Sequence, residues 1–405
     1  MTQLPSVGAE VPPDIGFLGR HGFPQAPLRE AARLGRAWDV AASEAAIAAD
    51  LLTADRFYRA LAAELGLPFL EPGFSVHPLA RYPQAIISGI APLADHHEVS
   101  HVLAPRGEAV AGLLERRGSL VSGLAITTPA ALRDAVFRAR GEAVAGLASE
   151  ELARERPDHS FHAGMNWPQA STILGLLVTV ALAGLSAGRP AVLALVALLG
   201  GPFLLLSAVK IAAILYPAPM QAEATRREPD ANLPIYSVLV PLHREGRVLG
   251  QLRAALLALD YPAARLDVKL LTEAGDSETA GALAALDWPG FVEVVTVPPG
   301  VPTTKPRALN VGLLLARGRY VVVYDAEDVP EPGQLRDAVE LFDRLGPEVA
   351  CLQARLVIDN SGDGHLTRFF TLEYGALFDV FVPALAGLDL PVPLGGTSNH
   401  LNGIT

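Results

Sequence analysis

The sequence predicts an α/β protein: a mainly parallel sheet with helices on both faces, preceded by a pair of apolar helices and a small α+β domain. Three observations carry this. From residue 233 onward, short β-branched runs alternate with amphipathic stretches, the pattern of βαβ units. Before them, residues 167–216 are almost wholly apolar and break only at Gly188–Pro190, the pattern of a transmembrane helical hairpin. Ahead of that, residues 28–150 show helical periodicity interrupted by short extended pieces.

Composition sets the bounds. The 405 residues are 50% hydrophobic, and the mean hydropathy of +0.31 is high for a purely soluble protein. A net charge of −11 with no basic block argues against a nucleic-acid surface. Cys351 is the single cysteine, so there is neither an internal disulfide nor a cysteine zinc site, and its apolar neighbours suggest an inert core position. Met1–Pro27 is rich in Pro and Gly, lacks the apolar core of a signal peptide, and reads as a flexible leader.

In the N-terminal domain, Arg29–Trp38 and Ala54–Leu65 read as helices, the second with Thr53 as cap and Gly66 as stop. Helices are also expected near Glu108–Arg117 and Pro129–Arg140. Thr128, Pro129 and Gly141 mark the bounds of the latter. His96, His97 and His101, with Asp95 and Glu98, raise a metal reading, against a plain polar loop; no Glu follows the first His as in the zinc-protease motif. The stretches "TADRFYRALAAELGLPFLE" and "LAITTPAALRDAV" resemble the N-terminal domain of type II secretion and pilus ATPases. Some relatives of that domain bind cyclic di-GMP, so the resemblance implies a cyclic dinucleotide as a regulatory partner.

The apolar runs Ser171–Ala187 and Ala191–Tyr216 are separated too tightly for anything but an antiparallel hairpin. Trp167 and Tyr216 then fall at one interface, and Lys210 lies near enough the end to snorkel. Gly200, Gly201 and Pro202 are expected to kink the second helix. Arg154, Arg156, Arg226 and Arg227 flank the hairpin, against Arg189 alone in its turn, which places both large domains in the cytoplasm, on the inner membrane of a bacterial-type cell. A buried soluble hairpin is the alternative. Residues 217–232 read as a linker.

Strands are expected at 235–242, 267–273, 291–297, 320–324 and 349–358, with helices between them. The strand Tyr320–Tyr324 runs into Asp325, Glu327 and Asp328, and Pro330 and Pro332 end it. Ligands of an open α/β sheet sit beyond the carboxyl ends of such strands. Side chains two apart on an extended segment point the same way, so Asp325 and Glu327 can converge on one hard cation, Mg²⁺ or Mn²⁺. A solvated acidic turn is the bland alternative. No Gly-rich dinucleotide or P-loop motif follows any strand.

Five motifs occur in order: "VPLHRE" (240–245), "TEAGDSET" (272–279), "TKPRALN" (304–310), "DAED" (325–328) and "GGTSNH" (395–400). With them, residues 233–405 resemble the membrane-embedded branch of family 2 glycosyltransferases that includes cellulose and hyaluronan synthases. The resemblance implies a GT-A fold and an inverting transfer from a nucleotide-diphosphate sugar, a UDP-sugar by preference, to a polysaccharide or other glycan acceptor. It implies that Asp325 and Glu327 hold the divalent ion, Glu327 standing where an Asp is more usual. Pro241, Glu245, Glu273, Asp276 and Asn310 would line the nucleotide-sugar pocket, and Lys305 and Arg307 would meet phosphate oxygens at a helix start. Gln353 is a candidate for the acceptor side or a core amide. The family's general base and its Gln-x-x-Arg-Trp helix follow the last motif and would lie beyond Thr405. The reading is therefore a truncated synthase that binds its donor but does not turn it over as this fragment. The rival is a catalytically dead membrane scaffold or sensor whose N-terminal domain reads a nucleotide signal.

Overall fold

The computed structural model describes residues 11–94, 98–160, 164–186, 188–216 and 228–403. The chain begins with helices α1 (Pro13–Gly16), α2 (Gln25–Trp38), α3 (Ala42–Ala48), α4 (Ala54–Leu65) and α5 (Gln84–Ser88). Strands β1 (Ile90–Pro92) and β2 (His101–Leu103), helix α6 (Glu108–Glu115), strand β3 (Leu124–Ile126) and helix α7 (Pro129–Glu155) follow. Two apolar helices come next, α8 (Trp167–Ser186) and α9 (Arg189–Leu215). The α/β region then runs β4 (Tyr236–Leu242), α10 (Leu249–Leu257), β5 (Leu266–Glu273), α11 (Ser277–Ala284), β6 (Val292–Val297), α12 (Lys305–Leu313), β7 (Tyr320–Val323), α13 (Gln334–Leu345) and β8 (Cys351–Gln353). It ends with α14 (His365–Gly375), a π-helical stretch Ala376–Phe381, α15 (Val382–Gly387) and β9 (Asn399–Asn402).

Contacts divide the chain into two units. One comprises Met1–Ser149, Ala224–Leu352 and Thr397–Thr405; the other comprises Glu150–Glu223 and Gln353–Gly396.

The first unit holds both sheets. The small one has the order β1-β2-β3, and the large one β6-β5-β4-β7-β9-β8. Strands β6, β5, β4 and β7 are parallel, and β9 runs antiparallel to β7, pairing Val323 with Asn399. Alternation along the strands explains the two layers. Tyr236, Val238, Val268, Leu270, Tyr320 and Val322 face a core closed by α10 and α13. Leu239, Leu271, Val295, Val297 and Val321 face the other way, onto Ala308 and Val311 of α12 and onto Phe137, Val144 and Ala148 of α7. A helix of the N-terminal region thus covers part of the catalytic-type sheet.

Three local expectations change. Residues 13–21 are helical rather than loose, because Ile15, Phe17 and Leu18 find a buried site, with the Phe17 ring 6.0 Å from that of Phe57. Helix α7 does not stop at Gly141. It bends at Arg140 (φ −126°, ψ 21°) and continues to Glu155, since the sheet offers Val144 and Ala148 an apolar seat that outweighs the glycine's low helix propensity. Thr53 precedes α4 but makes no side-chain cap bond. His101 opens β2, with its Nδ1 3.0 Å from Ser100 Oγ; Asp95, His96 and His97 lie outside the described residues.

In the second unit, α8 and α9 form a hairpin joined through Gly188, and α9 runs on through Pro202. Leu193–Leu215 and His365–Gly387 are each 23 residues, long and apolar enough to cross a bilayer, while the apolar stretch Trp167–Leu182 is shorter. The linker is described only from Glu228 onward.

Candidate active site

The site grows out of the sheet. Strands β4, β5 and β7 end side by side, so the turns after Leu242, Glu273 and Val323 surround one opening, joined by the start of α12. That opening is a cleft of about 360 Å³ lined by Pro241, His243, Glu245, Glu273, Lys305, Asp325 and Glu327, among others. A second cleft continues from it past Arg244, Gly275 and Asp276.

Asp325 and Glu327 share the cleft with Glu245, and the crowding is electrostatic as well as spatial. Burial, and then the Glu327 and Asp325 carboxylates, push the Glu245 carboxyl above its ordinary range. Lys305, on the first turn of α12, closes on Asp325 as an ion pair. Among the described residues no three His, Cys, Asp or Glu side chains form a metal cage. Two protein carboxylates are nonetheless what a Mg²⁺-type ion takes when substrate phosphates complete its shell, so the residues fit such an ion.

The turn after β7 is held from behind. Asp325 N–H donates to Asp328 Oδ2 at 2.8 Å and lies 3.1 Å from Thr397 Oγ1, and Thr397 also hydrogen-bonds to Asp328. Asp328 is thereby turned away from the opening. Its side-chain-to-backbone bond three residues back is the signal that the spacing Asp325–Asp328 contained. Thr397, some seventy residues on, could not be placed by spacing.

Asp276 is a structural clamp more than a lining group. Its carboxylate accepts from Arg244 N–H (2.6 Å), Thr279 N–H (3.0 Å) and Thr279 Oγ1–H (2.7 Å), capping α11 and holding Arg244 at φ 59°. Burial acts to raise its pKa, but these hydrogen bonds draw it below the usual value.

Two expected site residues do not reach the opening. Arg307 is buried at 2% exposure beneath it, donating to Glu273 Oε2 (2.5 Å) and to the Pro298 carbonyl (2.9 Å). It steadies Glu273, which does line the cleft. Asn310 faces the opposite way and donates to the Ala148 carbonyl of α7 at 2.7 Å. Gln353, the last residue of β8, accepts from Gly395 N–H at 2.6 Å, tying the strand end to the segment that leads into β9. His243 stands in both clefts.

A separate cavity of about 410 Å³ lies at the amino ends of β5 and β6, away from these turns. Its charges are already paired, Arg317 with Asp267 (3.0 Å) and Glu44 (3.5 Å), and Arg106 with Glu293 (3.9 Å).

Sheet order, helices on both faces and an acidic turn after the fourth parallel strand define a GT-A type fold. Residues 234–378 match the family described as "Glycosyltransferase like family 2". The chain is 34% identical over 150 residues to the "Probable glycosyltransferase YdaM" of Bacillus subtilis (strain 168), covering 36% of this chain and 35% of the relative. It is 28% identical over 144 residues to the "Beta-monoglucosyldiacylglycerol synthase" of Trichormus variabilis, covering 35% of this chain and 30% of that one. The matches therefore span about a third of each relative's length. Among solved structures, the mannosyltransferase PcManGT from Pyrobaculum calidifontis, in complex with GDP-Man and Mn²⁺, aligns over 40% of this chain and 45% of its own, with 25% identity and a TM-score of 0.32. Glucosyl-3-phosphoglycerate synthase from Mycobacterium tuberculosis, in complex with UDP, aligns over 42% and 57%, with 19% identity and a TM-score of 0.28.

Proposed function

We propose that this protein is a membrane-anchored, inverting glycosyltransferase that takes a sugar from a nucleotide-diphosphate sugar, UDP by preference, to a polysaccharide or other glycan acceptor. The observation that carries the reading is the gathering of Asp325, Glu327 and Glu245 beside Lys305 in one cleft beyond the strand ends. The family 2 match supports glycosyl transfer as the chemistry. The bilayer-length apolar helix α9 and its partner α8 support the anchor.

Asp325 and Glu327 would hold Mg²⁺ or Mn²⁺, and the ion, when bound, screens charge on the departing diphosphate. The chain's own groups do the rest. Lys305 exchanges Asp325 for a phosphate oxygen, helped by the N-terminal end of α12. Glu273, fixed by Arg307, presents one carboxylate oxygen to the nucleoside side of the cleft. Glu245 stands across from the metal pair as a wall.

The test is titration calorimetry of UDP into the purified chain with Mn²⁺ and then with excess EDTA. Binding should require the ion and should fall at least tenfold in Asp325→Ala. Binding that survives both EDTA and the substitution would overturn the reading.

A further inference from the structure

Lys305 stands where a phosphate contact alone does not require it. The cleft beyond the strand ends is lined by four carboxylates, those of Glu245, Glu273, Asp325 and Glu327. Among the described residues that line it, Lys305 is the one lysine or arginine. Arg307 answers Glu273 from below. Lys305 answers Asp325, its ammonium donating to Oδ1 as a hydrogen-bonded ion pair. The cation thus rests on the carboxylate that a divalent ion would need.

The two uses of Asp325 exclude each other. A Mg²⁺-type ion sits about 2.0–2.1 Å from each oxygen ligand, and an ammonium hydrogen-bonded to the same carboxylate crowds that position with like charge. The Asp325 end of the contact is fixed. Its backbone N–H is pinned to Asp328 Oδ2 at 2.8 Å and lies 3.1 Å from Thr397 Oγ1, which holds the turn. Lys305 is the end that can move: a compact charge on a four-carbon stem, with its side chain 36% exposed. An acceptor for it lies close by. Lys305 opens α12, and Thr303 and Thr304 just before it also line the cleft, so an anion at this helix start meets backbone N–H groups and the ammonium together.

We propose that Lys305 is a resident counter-ion that makes the chain take metal and nucleotide as a pair. In the nucleotide-free chain it occupies Asp325 and opposes uptake of a divalent ion. A diphosphate at the start of α12 draws the ammonium away and leaves the Asp325 carboxylate to the ion. Linkage is reciprocal, so the ion tightens the nucleotide by the same factor. The consequence is a cleft that does not load with metal ahead of its donor. The inference rests on the reading that Asp325 and Glu327 hold a divalent ion on a nucleotide diphosphate.

The test is a Mn²⁺ titration of the full chain, with free Mn²⁺ read by electron paramagnetic resonance. It is run with and without saturating UDP, and Mn²⁺ held by UDP in a protein-free blank is subtracted. In the natural chain UDP should tighten Mn²⁺ about a hundredfold. Without UDP, Lys305→Met should bind Mn²⁺ about tenfold more tightly than the natural chain, and the gain from UDP should shrink by a similar factor. Arg244→Met is the control for the general field, since Arg244 lines the neighbouring cleft and not this one. It should shift nucleotide-free Mn²⁺ affinity less than about threefold. Equal nucleotide-free affinities in the natural chain and Lys305→Met would overturn the proposal, and so would an equal rise in Arg244→Met. A natural chain that binds Mn²⁺ equally well with and without UDP would overturn it with no variant needed, leaving the metal site itself intact. A natural chain that takes up no Mn²⁺ even with UDP would remove the metal-dependent reading of the cleft, and this inference with it.

Discussion

Asp276 and Asp325 are both acidic residues at strand ends, yet the fold uses them differently. Asp276 spends its oxygens on Arg244 and Thr279 backbone and hydroxyl groups, while Asp325 keeps its carboxylate toward the opening. Asp276→Ala therefore costs fold stability: it removes a cap and leaves buried donors unpaired, roughly 1–3 kcal/mol by urea unfolding. His400 makes a second residue-scale case. It is 2% exposed, accepts from the Tyr236 hydroxyl at Nδ1 (2.6 Å) and donates from Nε2 to Gln334 (3.2 Å), and burial lowers its pKa to about 4. The folded value lies below the unfolded 6.5, so the unfolded chain binds the extra proton between them. Stability is then full above pH 6.5 and falls by up to about 3 kcal/mol as pH drops toward 4. Urea midpoints at pH 7, 5.5 and 4.5 should show this slope in the natural chain and a shallower one in His400→Gln; equal slopes would refute the assignment.

Asp267 and Glu293 act in a different window. Burial opposes their ionisation, but Lys269, with Arg317 beside Asp267 and Arg133 beside Glu293, holds both carboxyls well below the ordinary range. Depressed carboxylates contribute stability that is lost only below about pH 4.

At the scale of elements, the seams between helices and sheet depend on close backbone approach. Gly290, just before β6, donates to Asp50 Oδ1 at 2.8 Å, and a Cβ there would stand 1.8 Å from the Ile47 carbonyl of α3. The Ile47 carbonyl is backbone and cannot swing away, so Gly290→Ala must part the two backbones. The expected loss is roughly 3 kcal/mol, read by thermal or urea unfolding. Gly300 makes a similar approach to Ala145 of α7 and to the Arg307 guanidinium. The bond from Asn310 to the Ala148 carbonyl shows why the motif alone misplaces this residue. The residue sits on the α12 face that α7 covers, and nothing in "TKPRALN" indicates a partner 162 residues earlier.

For the molecule as a whole, the N-terminal region and the α/β sheet form one unit, with Phe137, Val144 and Ala148 in the same cluster as Leu239, Leu271 and Val297. They should unfold together. Variants retaining only Trp38 or only Trp288 should report the same urea midpoint, and Val144→Ala, at a fully buried position, should lower the unfolding free energy read by either by roughly 2 kcal/mol. Separate midpoints would mean the N-terminal region is an independent module.

The local grammar of this chain was readable without coordinates. β-branched runs between turn residues marked β4, β5, β6 and β7 because a buried parallel strand needs a short continuous apolar run. The acidic turn after β7 and the basic start of α12 stood in the sequence because ligand-facing groups sit at strand and helix ends. The extent of α9 was legible as one nearly unbroken apolar run from Ala191 to Tyr216. What the tertiary structure alone decided is which of these groups face which opening. Arg307 and Asn310 share helix α12 with Lys305, yet one is locked under Glu273 and the other on α7. The path of α7 past Gly141, the closure of the Asp325 turn by Thr397, and the antiparallel pairing of β9 with β7 all depend on partners far away in the chain. Propensity and periodicity act over a few residues, whereas a side chain's direction is settled by whatever packs on the far side of its element.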